Sequence, residues 1–173
     1  MDCVIETERL RLRELTLDDV DAIFAIIGDA ETMKYYPRSF NRADAIDWVQ
    51  RNLERYRRDG HSLYAVTLKT SDDVIGDCGL IRQDVEGESM IEVAYHFRRD
   101  CWGQGYATEA ARRCMTHAFE HLGASRLVSL IRAENLPSCR VAERNGMTVE
   151  KQVMFHDLPH LLYATRRENY GEA

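Results

Sequence analysis

The stretch RRDCWGQGYATEA, residues 98–110, decides the fold, because it joins an apolar strand to an amphipathic helix through Trp102-Gly103-Gln104-Gly105. Before it, Ile91, Val93, Tyr95 and Phe97 recur at every second position, the period of a strand. After it, Ala107, Ala111, Cys114, Met115, Ala118, Phe119 and Leu122 fall on one face of a helix. Glycines at such a junction let the backbone turn tightly and let a ligand approach it closely. The unpaired N–H groups that open the helix favour an anion such as a phosphate or pyrophosphate.

Working outward, Leu10 and Leu12 alternate with Arg9, Arg11 and Arg13 in a first strand. Thr16 or Asp18 caps a helix that carries Val20, Ile23, Phe24 and Ile27 on one face. A second helix runs from about Ala43 to Arg58 and stops at Gly60. Strands follow over His61 to Lys69, Val74 to Gln83 and Ser89 to Phe97, joined by turns short enough for antiparallel hairpins. Beyond the glycine junction come a strand over Arg126 to Arg132 and a helix over Asn135 to Asn145, with Pro137 early in it. Met147 to Phe155 and Leu161 to Arg167 read as a closing pair of strands. The pattern is one α+β domain over residues 1–173, with a mixed, mostly antiparallel sheet of about seven strands and helices on both faces.

Composition narrows the function classes. With 45% hydrophobic and 30% charged residues, the chain has the make-up of an ordinary globular protein. No apolar run approaches the roughly 20 residues that span a bilayer, and MDCVIETERL lacks the regions of a signal peptide. A net charge of -6 gives no general attraction to nucleic acid or anionic lipid. Five scattered cysteines, Cys3, Cys78, Cys101, Cys114 and Cys139, form no CxxC pair and read as the reduced thiols of a cytoplasmic protein.

Four segments, IETERLRLRELTLDD, IEVAYHF, CWGQGYATEA and ENLPSCRVAERNGM, occur in this order along the chain. By them the chain resembles the GNAT acyl-CoA N-acyltransferase superfamily, and within it the RimJ/RimL-like acetyltransferases. The resemblance implies that acetyl-CoA binds where the fourth and fifth strands splay apart. Backbone around His96, Phe97 and Arg98 would pair with pantetheine, and amides from Trp102, Gly103, Gln104, Gly105, Tyr106 and Ala107 would hold the pyrophosphate. Asn135 and Ser138 match polar positions that flank the thioester. The chain departs from the superfamily at Asp100, where Gln or Arg is usual; a carboxylate there adds no attraction for phosphate, and Arg98, Arg99 or backbone donors would have to compensate. A monomer or a homodimer fits the family.

Acetyl transfer from a thioester to an amine needs a neutral amine, a stabilised oxyanion and a proton for the leaving thiolate. An α-amino group has a pKa of about 8 against roughly 10.4 for lysine, so more of it is neutral at pH 7. The resemblance and this chemistry together favour a protein or peptide α-amine, with small-molecule amines the alternative. Three residues are candidates for the proton steps. Glu92 alternates with apolar residues on its strand, and partial burial would raise its pKa to suit a general base; a structural carboxylate is the other reading. Ser138 can bond the cofactor sulfur or cap its helix. Tyr163 can protonate the thiolate or fill the core with its hydroxyl at the rim.

Other signals have plainer readings. His117, Glu120 and His121 match an H-x-x-E-H pattern but lack a third ligand nearby, so no metal is expected. His156 and His160 flank a Pro-containing turn beside the expected acceptor cleft, Trp102 is expected to pack beneath the loop, and the cluster Arg51, Arg55, Arg57 and Arg58 reads as a solvated helix face. The Gly-x-Gly junction is not a Rossmann fingerprint, since hairpins precede it and the third glycine is replaced by Thr108. A non-catalytic acyl-CoA sensor on the same fold is the second function class, and the environment of Glu92 separates it from an enzyme.

Overall fold

The computed structural model describes residues 3–170, and in it every expected element forms and one more is added. The added element is β1 (Cys3–Glu6), which pairs antiparallel with β2 (Leu10–Arg13). Of its described side chains only Ile5 is buried, so four residues at a sheet edge leave no alternating pattern to read. The sheet therefore has eight strands, not about seven.

After β2 come α1 (Val20–Ile27), α2 (Arg42–Asp59), β3 (Leu63–Leu68), β4 (Val74–Val85) and β5 (Glu88–Phe97). Then follow α3 (Tyr106–His121), β6 (Arg126–Ile131), α4 (Leu136–Arg144), β7 (Thr148–Phe155) and β8 (Leu158–Arg166). The entry to α1 is fixed by Asp19, whose carboxylate accepts from the Thr16 amide at 2.8 Å and takes both Arg13 nitrogens at 2.7 and 2.8 Å. At α2, Asn41 and Asp44 cap each other reciprocally, and Gly60 ends the helix in the left-handed conformation at φ 77°.

Strand order is β1-β2-β3-β4-β5-β6-β8-β7, antiparallel throughout except between β5 and β6. That parallel contact consists of one register pair, Glu92 with Val128, beyond which the strands separate. With β1 counted, these are the strands the sequence numbers fourth and fifth. The β4–β5 hairpin turns on Glu86-Gly87, with φ of 53° and 82°, and the β7–β8 hairpin on His156-Asp157, with φ of 48° and 59°. Both are two-residue turns with positive φ at each centre. The second turn thus excludes Pro159, which lies within β8.

Alternation sorts the core onto the two faces of the sheet. On one, Ala111, Cys114, Met115, Ala118 and Phe119 of α3 cluster with Leu10, Leu12, Val66, Leu80 and Val93. On the other, Ile23, Ile26 and Ile27 of α1 cluster with Ala45 and Val49 of α2 and Ala65 of β3. Full burial of such a side chain contributes about 1.5–3 kcal/mol, and the two layers hold β4 and β5 rigid up to the point where β6 departs. Cys78, Cys101, Cys114 and Cys139 are free thiols, while the Cys3 side chain lies outside the described residues. Among the described residues no helix is long and apolar enough to cross a membrane.

Candidate active site

The register of β5 determines which of its backbone groups face the opening. The Arg98 amide donates to Ile75 O at 2.8 Å, and alternate residues of an antiparallel strand bond the same neighbour. His96 and Ala94 are therefore bonded to β4, while the backbone of Val93, Tyr95 and Phe97 faces β6. There Val93 O accepts from Ser129 Oγ at 2.7 Å and Phe97 O accepts from Trp102 Nε1 at 2.8 Å. The Tyr95 amide and carbonyl are left facing the gap. The strand backbone left facing the gap is thus that of Tyr95, next to the expected His96, Phe97 and Arg98.

Two grooves meet at this gap. The first, of about 500 Å³, is lined by Phe97, Trp102, Gly103, Gly105, Tyr106 and Ala107, and on its other wall by Asn135, Ser138, Arg140 and Arg144 of the α4 segment. Gly103 and Gly105 have φ of 75° and 83°, and Gly105 caps α3, so the loop turns its amides toward the helix start. The loop is braced from below by the N-terminal segment. Arg9 Nη1 donates to Gln104 O at 2.9 Å, its guanidinium lies 4.5 Å from the Tyr106 ring centre, and Nη2 pairs with Glu109 at 2.6 Å. Glu109 also accepts from the Arg9 amide and from Thr7 Oγ1, which holds its carboxyl below the ordinary range despite burial. The Thr7-Glu8-Arg9-Leu10 run is therefore part of the loop's scaffold. Asp100 is no obstacle: its carboxylate is held by Arg98 Nε at 2.7 Å.

Some expected residues lie elsewhere. The Arg98 and Gln104 side chains do not line the groove, Arg98 being bonded to Asp100 and Gln104 to Asp100 O; the contacts expected of these two residues were backbone ones. Trp102 does not pack beneath the loop; it is 42% exposed and stands along the groove wall, tied by its ring N–H to Phe97 O. Lys34, Arg140 and Arg144 line the groove and were not singled out from the sequence; Lys34 is held by Glu31 of the same wall at 2.5 Å, which leaves Arg140 and Arg144 as the groove's cations without a carboxylate partner among the described residues.

The second groove, of about 540 Å³, is lined by the Tyr35 to Phe40 segment, by α2, by Glu92 and by the β7–β8 turn with His156 and His160. Glu92 is 8% exposed; its Oε2 accepts from Gln83 Nε2 at 2.9 Å and its Oε1 from the Leu130 amide at 3.3 Å. The carboxylate bridges β5 to β6 where the ladder opens. Burial raises its pKa, and the bonds from Gln83 and Leu130 together with the fields of His96 and Arg55 oppose that rise. No cation lies within ion-pair distance of it among the described residues.

Tyr36, Tyr95, His96, Asn135 and Ser138 line both grooves. Asn135 caps α4 by accepting from the Ser138 amide at 3.3 Å, and Ser138 O accepts from Tyr95 Oη at 3.0 Å. A chain missed by the sequence reading, buried at Asp77 and His96, runs through the junction. Trp48 Nε1 donates to Asp77 Oδ2 at 2.9 Å, Asp77 Oδ1 lies 2.7 Å from His96 Nδ1, and His96 Nε2 lies 2.6 Å from Tyr36 Oη. Whenever the ring is neutral, Asp77 fixes its proton on Nδ1, and Nε2 then accepts from Tyr36. Burial, with Glu92 and Asp77 nearby, pushes the Tyr36 hydroxyl well above its ordinary pKa. Tyr163 stands apart: it is 3% exposed, lines neither groove and donates to Glu143 Oε1 at 3.1 Å. His117 and His121 lie side by side on α3, and no group of three His, Cys, Asp or Glu able to hold a metal occurs among the described residues.

A family model described as an acetyltransferase (GNAT) domain matches residues 9–148. The uncharacterized protein YkkB of Bacillus subtilis (strain 168) is 32% identical over 164 residues, covering 94% of this chain and 95% of that one. A GNAT-family acetyltransferase structure from Bacillus anthracis superposes with a TM-score of 0.82 at 26% identity, covering 95% and 98% of the two chains. RimL, a ribosomal L7/L12 α-N-protein acetyltransferase solved with coenzyme A, shares the fold, with a TM-score of 0.75 at 18% identity over 95% and 98%. A cleft opened by splayed strands and floored by a glycine loop is thus found in a chain that belongs to the GNAT family of N-acetyltransferases.

Proposed function

We propose that the protein transfers acetyl from acetyl-CoA to the α-amine of a peptide or protein, by direct attack with both substrates bound. The observation that carries this is the meeting of two grooves at Tyr36, Tyr95, His96, Asn135 and Ser138, with Glu92 at the same opening. The loop groove suits the cofactor: amides at the start of α3 face the pyrophosphate, and Arg140 and Arg144 offer cations to its phosphates. RimL, of the same fold, is described as an α-N-protein acetyltransferase and was solved with coenzyme A.

In this reading the thioester lies at the gap, with its carbonyl oxygen toward the β5 backbone near Tyr95, where an amide stabilises the oxyanion. The oxygen of Tyr36, whose hydrogen is given to His96, accepts a bond from the incoming amine and orients its lone pair. Attack forms the C–N bond. Glu92 takes the proton the nitrogen loses, the C–S bond breaks, and the sulfur receives that proton back through the groove. Glu92 ends as it began. Ser138, at the cap of α4, flanks the sulfur. Tyr36 rather than Tyr163 takes a place at the reacting atoms, because only Tyr36 lines the grooves.

The test uses two peptides of one sequence, one with a free α-amine and dimethylated lysine, the other α-acetylated with free lysine. CoA release and product mass are followed. Acetylation of the first alone is expected; acetylation of the second alone would overturn the α-amine assignment.

A further inference from the structure

The chain carries a net charge of -6, yet the acceptor groove is lined by Arg51, Arg55 and Arg132 against a single carboxylate, Glu92. Arg51 and Arg55 are one helical turn apart on the same side of α2. The sequence reading left them on a solvated face with Arg57 and Arg58. The structure separates them: Arg58 is paired with Asp59, whereas Arg51 and Arg55 border the groove.

Three carboxylates near them, Asp59, Asp44 and Glu92, already have partners, and Asp47 and Glu54 on α2 form no ion pair with either arginine. Asp59 is held by Arg58 at 2.6 Å and by Arg82 at 3.8 Å. Asp44 takes both nitrogens of Arg38, at 2.6 and 2.9 Å. Glu92 accepts from Gln83 and Leu130. Among the described residues, neither Arg51 nor Arg55 has a carboxylate within the 4.0 Å of an ion pair. On the far wall, Arg132 Nε lies 3.5 Å from Glu134 Oε2, an ion pair without a hydrogen bond. Arg55 is half-buried, and burial, then Arg51 and Arg58, holds its pKa below the ordinary value. Such a surplus of partly desolvated cation is costly in the free protein and is relieved by an anion.

We infer that the acceptor carries a carboxylate or phosphate beside its amine, and that Arg55, assisted by Arg51, receives that group. The inference rests on the reading that this groove admits the amine, and it narrows the substrate class to amines with an anionic neighbour. Arginine presents a rigid fork that matches a carboxylate or phosphate in two-point fashion. Polyamines and aminoglycosides, which bring only positive charge, are disfavoured at this wall. The anion has two sources: an acidic side chain near a peptide N-terminus, or the terminal carboxylate of a free amino acid or dipeptide.

The experiment compares kcat/KM within matched acceptor pairs. One pair is amidated Ser-Glu-Ala against amidated Ser-Gln-Ala; the other is Ser-Ala as free acid against its amide. A preference of at least tenfold for the anionic member of one pair is expected, and which pair shows it identifies the source. Arg55→Gln should bring that ratio close to one, while Arg55→Lys should keep part of it. The ratio is taken within each variant, so a general loss of folded protein cancels. A ratio near one in the unaltered protein overturns the inference. So does a ratio that survives Arg55→Gln, the outcome expected if Arg55 merely tunes Glu92 and shifts the pH profile of both members alike. Calorimetric binding of the N-acetylated products to CoA-loaded protein separates this inference from the proposed function. Turnover of both members at equal efficiency retains the transferase reading and refutes the anion site. Arg55-dependent binding of the acidic product without any turnover does the reverse.

Discussion

Gly103, Gly105 and Gly87 permit a test that separates backbone strain from ligand approach. All three have positive φ, at 75°, 83° and 82°. A Cβ added at Gly103 or Gly87 meets nothing within 4 Å, and at Gly105 it meets only Arg9 Nη2, at 3.5 Å. Alanine at each position therefore carries the cost of the left-handed conformation without a clash, roughly 1–2 kcal/mol. For a chain of this size each kcal/mol moves Tm by about 2–4 °C, so each variant should melt roughly 2–8 °C lower. Their stabilities should fall together, but their cofactor affinities should not. Gly103 and Gly105 line the loop groove, where a strained residue shifts the amides that the account places against the phosphates, whereas Gly87 lies in the β4–β5 turn. Calorimetric titration with acetyl-CoA is expected to show at least a tenfold weaker Kd for Gly105→Ala and Gly103→Ala and an unaltered Kd for Gly87→Ala. A Gly105→Ala protein that binds acetyl-CoA as tightly as Gly87→Ala would refute the placement of the pyrophosphate on this loop.

Glu92→Gln should lower kcat by about 10²–10⁴, the usual contribution of a general base, with little change in acetyl-CoA affinity. Since burial raises the Glu92 pKa, activity should rise with increasing pH through a limb above the ordinary carboxylate value of 4.5, and that limb should vanish in the variant. The folded protein holds this proton more tightly than the unfolded chain, so between the two pKa values stability should fall as pH rises; urea titrations of Glu92→Gln should lose that slope. Tyr36→Phe should reduce kcat more than Tyr163→Phe does, and equal losses in steady-state assays would remove Tyr36 from the reacting atoms. Arg9→Ala should weaken acetyl-CoA binding by freeing the loop from Glu109 and Gln104, and an unchanged Kd would show that the brace has no bearing on the cofactor.

Period alone made most of the fold readable. The alternation of Ile91, Val93, Tyr95 and Phe97 and the helical stripe from Ala107 to Leu122 correspond to β5 and α3, because their burial is decided by one face each. β1 was not readable, since an edge strand of four residues buries too little to write a pattern. At the site, the glycine loop and the Asn135–Ser138 cap were visible as local motifs. The Asp77–His96–Tyr36 chain was not, because its members lie 19 and 60 residues apart and meet only through strand register and loop return. The same holds for Arg51 and Arg55: a charge run looks solvated until the folded chain shows which carboxylates their neighbours have already taken.

The most direct test of the account is a two-substrate initial-rate study, with acetyl-CoA varied at several fixed concentrations of a peptide that carries a free α-amine. Because the grooves meet directly, and burial raises the pKa of Cys101, the thiol that lines the loop groove, intersecting double-reciprocal lines are expected, with no acetyl group retained on the protein after incubation with acetyl-CoA alone. Parallel lines, accompanied by a stoichiometric acetyl-enzyme on Cys101 or Cys139, would contradict direct transfer between the two grooves.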